Sequence, residues 1–360
     1  MDEYTWLPLA AFILTAIGWL SRELWRWRNT RRQAAHDASK TLSDKKKLLE
    51  EMISKTEDAS SKQTLTTQLD EVNAALLGLY GERLRHTLKQ AGLPPEEALI
   101  TDGRARLQPQ QITELRRIVT EVSALPSFLS TKDLLVLGNA YYYMERYHDA
   151  KNIFDQLLKL NPDDVAILFN RGTAYANLGK YKEALADFNR YLELKPDNPA
   201  ALSNRGGVYK YLGMYKEALA DFNRSLKLKP DDATALANRG GVNVDLKKYD
   251  EAFVDLNRAL ELTPDKYVAL VNRGILYTAL RKYDEALVDF NRSLELNPDN
   301  PEIFYNLACL FSLWGKIDEA LAYLGKAIAL NEKSREKAKT DTDFDNIRDD
   351  PRFKKLMESD

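Results

Sequence analysis

The chain has 360 residues, of which 29% are charged and 44% hydrophobic, and its formal net charge is −2. So even a balance excludes the general electrostatic pull on nucleic acid that a basic protein exerts. Cys309 is the only cysteine, which excludes an intramolecular disulfide and fits a reducing compartment.

Tyr4 to Ser21 is an uncharged run of 18 residues, roughly 27 Å long as a helix. Asp2 and Glu3 precede it, and Arg22, Arg26, Arg28, Arg31 and Arg32 follow it. Trp6, Trp19, Trp25 and Trp27 lie where interfacial rings would anchor a span slightly shorter than a hydrocarbon core of ~30 Å. Basic residues stay on the cytoplasmic side, so the expectation is a single membrane span over residues 4–21. The N-terminus would then lie outside and the remaining residues in the cytoplasm. An interfacial amphipathic anchor and a buried helix are the alternatives. A cleaved secretory signal does not fit, because the positive charge follows the apolar run.

Residues 34–130 predict a helical spacer. Leu42, Leu48, Leu49, Met52 and Ile53 mark one helix. Leu65, Leu69, Val72, Leu76 and Leu79 mark a second, with coiled-coil spacing. The polar break at 57–61 predicts an antiparallel hairpin, and Gly92, Pro94 and Pro95 predict its end. A third helix is expected from about Pro109 to Leu125, with Ile112, Leu115, Ile118, Val119 and Val122 on one face. This region reads as a spacer and cap for the first of the units that follow, or as an oligomerisation stalk.

From Thr131 to about Ser334 the sequence repeats every 34 residues. Asn-Arg-Gly recurs from Asn170, Asn204, Asn238 and Asn272, and Pro162, Pro196, Pro230, Pro264 and Pro298 keep the same step. A fixed period of this size means stacked supersecondary units that cannot bury their apolar faces alone. In the third unit Asn198 caps a helix beginning at Pro199, and Gly213 ends it. Ala218, Phe222 and Leu226 form the buried stripe of a second helix, and small residues such as Gly206 and Ala218 let the pair approach. Leu134, Leu137, Gly138, Tyr141, Ala150, Phe154 and Pro162 follow, in order, the tetratricopeptide pattern, with Leu for its Trp. The array therefore resembles the tetratricopeptide repeat family. The resemblance implies an all-α solenoid of about six helix pairs, lined inside by the first helix of each pair and binding a peptide or protein in its concave groove.

Four units carry Arg171, Arg205, Arg239 and Arg273, each followed sixteen residues later by Asp187, Asp221, Asp255 and Asp289. The first and last units lack both members, so the two types occur together. That predicts an ion pair between the two helices of a unit, or alternatively an arginine ladder for an acidic ligand. On the groove that the resemblance implies, Asn170, Asn204, Asn238, Asn272 and Asn306 form an amide ladder. It suits either recognition of a peptide backbone or ties between neighbouring helices. Phe169, Lys210, Tyr211 and Tyr305 join the predicted lining. Gly207 and Gly241, each beside another glycine, predict close packing or room for a partner's backbone. Lys210 is the one basic side group of this lining, which argues against capture of a terminal carboxylate by several lysines and arginines.

Phe344, Ile347, Phe353 and Leu356 predict a final helix that seals the last unit within residues 335–360. His36, His86 and His148 are scattered, Cys309 has no partner nearby in sequence, and no phosphate loop or nucleophile elbow occurs. No catalytic set, cofactor, metal or small-molecule substrate is expected. The domain reading is an anchor over 1–33, a spacer over 34–130, repeats over 131–334 and a cap over 335–360. The leading function is a membrane-anchored adaptor whose repeats bind a protein partner. A membrane-active effector that oligomerises on sensing a ligand, and a soluble assembly chaperone, are the alternatives.

Overall fold

The computed structural model describes residues 37–55, 59–90, 93, 109–123 and 130–358. Every regular element among them is helical. The span predicted over residues 4–21 lies outside the described residues, and no described helix is long and apolar enough to cross a membrane. Two compact units are distinguishable, one holding the described residues up to Leu157 and the other those from Leu158 on.

In the first unit, α1 is described over 37–55, followed by α2 (Ala59–Gln90), α3 (Pro109–Ser123), α4 (Thr131–Tyr143) and most of α5 (Tyr147–Leu160). α2 already begins at Ala59, inside the polar break predicted over 57–61. Its buried stripe is Val72, Leu76, Tyr80, Leu84 and Leu88, a run of fours that continues past the predicted seam. Leu65, Leu69 and Leu79 are only half-buried. Leu115, Ile118 and Val119 of α3 are buried, and Arg83 of α2 donates to Glu114 of α3 at 2.6 Å. Arg85 of α2 pairs with Asp133 of α4, so the long helix packs on the first repeat helix as a cap would.

In the second unit the helices alternate with the 34-residue period. First helices are α6 (Val165–Asn177), α8 (Pro199–Tyr211), α10 (Ala233–Asp245), α12 (Tyr267–Ala279) and α14 (Pro301–Trp314). Second helices are α7 (Tyr181–Leu194), α9 (Tyr215–Leu228), α11 (Tyr249–Leu262), α13 (Tyr283–Leu296) and α15 (Ile317–Leu330). Asp164, Asn198, Asp232 and Asn300 cap α6, α8, α10 and α14 by accepting backbone N–H bonds. Where α12 begins, Lys266 stands in the cap position and no side chain accepts such a bond.

The pairs from α6–α7 to α12–α13 are locked by a ring or a leucine on a glycine, and in α14–α15 Ala308 takes the glycine's place opposite Leu324. A Cβ on Gly206 would lie 2.9 Å from the Phe222 ring, and one on Gly274 would lie 2.7 Å from the Phe290 ring. Leu256 meets Gly240 in the same way, which is why Asn-Arg-Gly recurs with an aromatic or leucine sixteen residues after its glycine. The pair is too close for any larger side chain.

The array closes with α16 (Lys333–Thr340), a 3-10 turn (Thr342–Phe344) and α17 (Pro351–Met357) rather than one helix. Phe344, Ile347 and Phe353 are buried with Leu307, Leu310 and Leu324, so the exposed end of the last unit is covered. Asn346 donates to the Ser312 carbonyl at 2.6 Å and fixes that cover.

Candidate functional site

The structure brings all four predicted arginine–aspartate pairs together, each two-pronged. Arg239 donates from Nε and Nη2 to the two Asp255 oxygens at 2.7 and 2.6 Å. Arg205 does so to Asp221 at 2.7 and 2.8 Å, Arg273 to Asp289 at 2.8 Å twice, and Arg171 to Asp187 at 2.9 and 2.7 Å. The aspartates are buried, and their bonds hold the Arg205 and Arg273 guanidinium groups above the usual arginine range. A third partner was missed. Arg205, Arg239 and Arg273 also donate from Nη1 to Asn189, Asn223 and Asn257 of the preceding unit at 2.7–2.8 Å. These guanidiniums are spent within the scaffold, so the ladder for an acidic ligand is set aside. The asparagines recur every 34 residues, a signal that was available in the sequence.

The first helices of successive units line an open cavity of about 440 Å³, which α16 completes. Of the predicted lining, Asn238, Asn272, Asn306, Lys210, Tyr211 and Tyr305 reach it. Phe169 and Asn170 do not: both are buried, with the Phe169 ring edge-on to Phe188 at 5.9 Å and against Tyr191 at 5.6 Å. The assignment of Phe169 to the groove is corrected, because the second helix of its own unit claims that side chain, and Asn170 is buried outside this cavity wall. Asn204 is not part of the cavity wall, and its amide nitrogen is buried without a hydrogen-bond partner.

The amide ladder divides into two roles. Asn272 donates from Nδ2 to the Ala237 carbonyl at 3.0 Å and ties α12 to α10. Asn238 and Asn306 make no intramolecular side-chain hydrogen bond among the described residues and face the cavity. Tyr211 stacks on Tyr181 with centroids 5.1 Å apart and remains 70% exposed. Tyr305 is pinned by donation to Asp341 at 2.7 Å, and burial pushes its phenol well above the usual tyrosine range.

The paired glycines behave differently from each other. Gly207 faces open space in the cavity wall, with nothing within 4 Å of where a Cβ would stand. A Cβ on Gly241 would lie 2.7 Å from Lys210 Nζ and 2.6 Å from Asn272 Nδ2. The second glycine of α10 therefore exists to let a lysine from α8 cross it. Burial lowers the pKa of that lysine, and the nearby Asp245 and Glu302 carboxylates partly offset the effect. Asp245 is itself pushed up by burial and drawn back by Lys210. Lys333 and Lys337 of α16 also line the cavity, and Lys337 sits 4.0 Å from the Tyr305 ring centroid. Sequence reasoning missed both: Lys333 falls at the last edge of the array predicted over 131–334 and Lys337 beyond it.

Cys309 does have neighbours: its thiol and the Asp341 and Asp343 carboxylates lie within 4.8 Å of one another. Burial pushes both the thiol and the Asp343 carboxyl up, and the two are hydrogen-bonded, while Asp341 serves Tyr305 and caps Asp343 N–H. The donors are engaged with one another as a structural contact within the cap.

Family models for the tetratricopeptide repeat match residues 135–199, 199–232, 233–266, 267–300 and 290–322, together more than half of the 360 residues. The chain belongs to the tetratricopeptide repeat family. Tetratricopeptide proteins generally mediate protein–protein interaction, and their fold is typically a non-enzymatic scaffold. Among solved structures, the protein is similar to the Cut9–Hcn1 hetero-tetramer of the APC/C at 17% identity and a TM-score of 0.55. That match covers 86% of this chain and 58% of the other. YrrB, described as a TPR protein with an unusual peptide-binding site, matches at 26% identity and a TM-score of 0.35, covering 52% of this chain and 97% of its own. TTC0263, a thermophilic TPR protein from Thermus thermophilus, matches at 25% identity and a TM-score of 0.44, covering 48% and 95%. No curated protein matches the sequence.

Proposed function

We propose that this tetratricopeptide protein is an adaptor that binds a peptide segment of a protein partner in the cavity between α8 and α16. The observation that carries this reading is a pair of cavity-facing amides, Asn238 and Asn306, with no intramolecular hydrogen bond. A free carboxamide can donate to a backbone carbonyl and accept from a backbone N–H at once, which suits an extended peptide. The cavity of about 440 Å³ lies within the ordinary range for ligand pockets, and Tyr211 supplies an exposed aromatic face beside it. Affinity capture with the full-length protein and with an Asn238→Ala/Asn306→Ala variant of equal thermal stability tests the reading. A protein set held by the first and lost by the second supports it, and identical sets overturn it.

The adaptor is further proposed to be tethered at a membrane through residues 4–21, on the strength of their uncharged run and basic C-terminal flank. Retention of the full-length protein in the membrane pellet after high-salt and alkaline washing is expected. Release by salt alone would refute the span.

A further inference from the structure

The cavity carries an unbalanced charge. Lys210, Lys333 and Lys337 line it, and among the described residues none of the three is ion-paired. The outer second helices behave in the opposite way. Arg190, Arg224, Arg258 and Arg292 each hold an aspartate of the preceding loop at 2.7–2.9 Å. Glu302 is the one carboxylate in the cavity wall. Lys210 is not a stray surface cation, for it crosses a helix at a glycine that leaves it room, and it is partly desolvated there. Lys210 is held partly out of water with the Asp245 and Glu302 carboxylates offsetting only part of the cost, and an incoming anion would relieve more of it.

The cations form two poles. Lys210 Nζ lies over Gly241 beside Asn272, between α10 and α12. Lys337 Nζ lies over Tyr305 on α14, with Lys333 one turn earlier on α16. Packed helices are spaced ~8–10 Å apart, and from between α10 and α12 to α14 is one and a half such spacings, so the poles are separated by roughly 12–15 Å. An extended peptide rises ~3.3 Å per residue, so about four residues span it. Asn238 and Asn306 lie in the same wall, placed for the peptide backbone between.

We propose that the cavity takes an extended acidic peptide carrying two internal carboxylate side chains about four positions apart, one bound by Lys210 and the other by Lys333 and Lys337. This rests on the peptide-binding reading above and adds the chemistry of the peptide. A single terminal carboxylate fills only one pole, which favours internal acidic residues as the occupant.

The test presents the full-length protein, in neutral detergent, with a random library of peptides about ten residues long, acetylated and amidated at their ends. The expected result is enrichment of Asp or Glu pairs at the stated spacing. Lys210→Gln should erase the preference at one acidic position and Lys337→Gln at the other, while Lys210→Arg keeps both. Each Gln variant should bind the best peptide roughly tenfold more weakly by fluorescence anisotropy, and rising salt should narrow the difference. Lys210→Gln removes a desolvated charge, so the variant is expected to fold. Enrichment without acidic bias, loss of the same position in both variants, or selection only of peptides with a free carboxyl terminus overturns the inference and leaves peptide binding standing. No enrichment of any peptide overturns both.

Discussion

Lys266 stands where the other described units of the second compact unit place Asp or Asn, and the misfit has a measurable cost. The residue is only 8% exposed, and its ammonium donates to Thr234 Oγ1 at 2.6 Å. Burial lowers its pKa from 10.5 to about 8. At ~1.4 kcal/mol per unit, the charged form costs the fold about 3 kcal/mol at most when both states are protonated. Lys266→Met keeps most of the buried stem and removes the charge, but leaves the Thr234 hydroxyl without this donor, a loss of about 1 kcal/mol. The variant should therefore be more stable by about 1–2 kcal/mol at pH 7. The sign of the pH dependence is fixed. Between pH 8 and 10.5 the unfolded state binds a proton that the folded one has released, so wild-type stability rises with pH through that window. Below pH 8 the penalty is fully present, and above 10.5 it is gone. Parallel urea unfolding of both proteins from pH 7 to 10.5 measures the difference, in which groups common to both, such as Tyr305, cancel. A variant no more stable at pH 7, or a difference that persists unchanged at the alkaline end, refutes the reasoning.

Asp255→Ala should cost about 2–4 kcal/mol in urea unfolding, because it strands the Arg239 guanidinium with Asn223 alone. Arg239→Leu/Asp255→Leu should cost less than that single change, and a costlier double variant would refute the account of the pair. Adjacent glycines should respond with opposite sign: Gly206→Ala is expected to destabilise by about 1–3 kcal/mol against the Phe222 ring. Gly207→Ala, facing open space, should stabilise by up to ~1 kcal/mol, and equal effects at both positions would be inconsistent with the packing. Arg281 has φ 58°, at the turn position where Gly179, Gly213 and Gly315 also have positive φ. Arg281→Gly should raise stability by about 1 kcal/mol, measured by thermal unfolding.

What repeats was legible. The 34-residue step placed the helix pairs, and the joint occurrence of Arg and Asp sixteen residues apart anticipated a contact that the structure forms four times. The groove was legible only through the family resemblance, and that reading misplaced Phe169 because an apolar residue next to the ladder can turn either way. In the spacer, the leucine count fixed a seam too early. The stripe that reaches α3 and α4 includes Tyr80, which a search for leucines passes over, and its hydroxyl also accepts from Ser39 at 3.1 Å.

The residues that give the cavity its chemistry are departures from the period, and physics gives a reason. A position repeated in every unit is constrained first by packing, although the asparagine position shows room for difference, since Asn272 bonds the Ala237 carbonyl while Asn238 and Asn306 face the cavity. Lys210 stands where the other units of the second compact unit have Ala176, Val244, Thr278 and Ser312, and the glycine that makes room for it appears one unit later. Lys333, which stands in register with Asp163, Asp197, Asp231, Asp265 and Asp299, and Lys337 both come from α16. Stability therefore resides in the periodic residues, Asn-Arg-Gly with its aspartate and its aromatic or leucine. In the reading proposed above, recognition falls to the aperiodic lysines, with Asn238 and Asn306 of the repeated amide position beside them. Subtracting the consensus leaves Lys210, Lys333 and Lys337 facing the cavity, where they join Asn238 and Asn306, the two amides of the repeated position that the scaffold leaves without a hydrogen bond among the described residues.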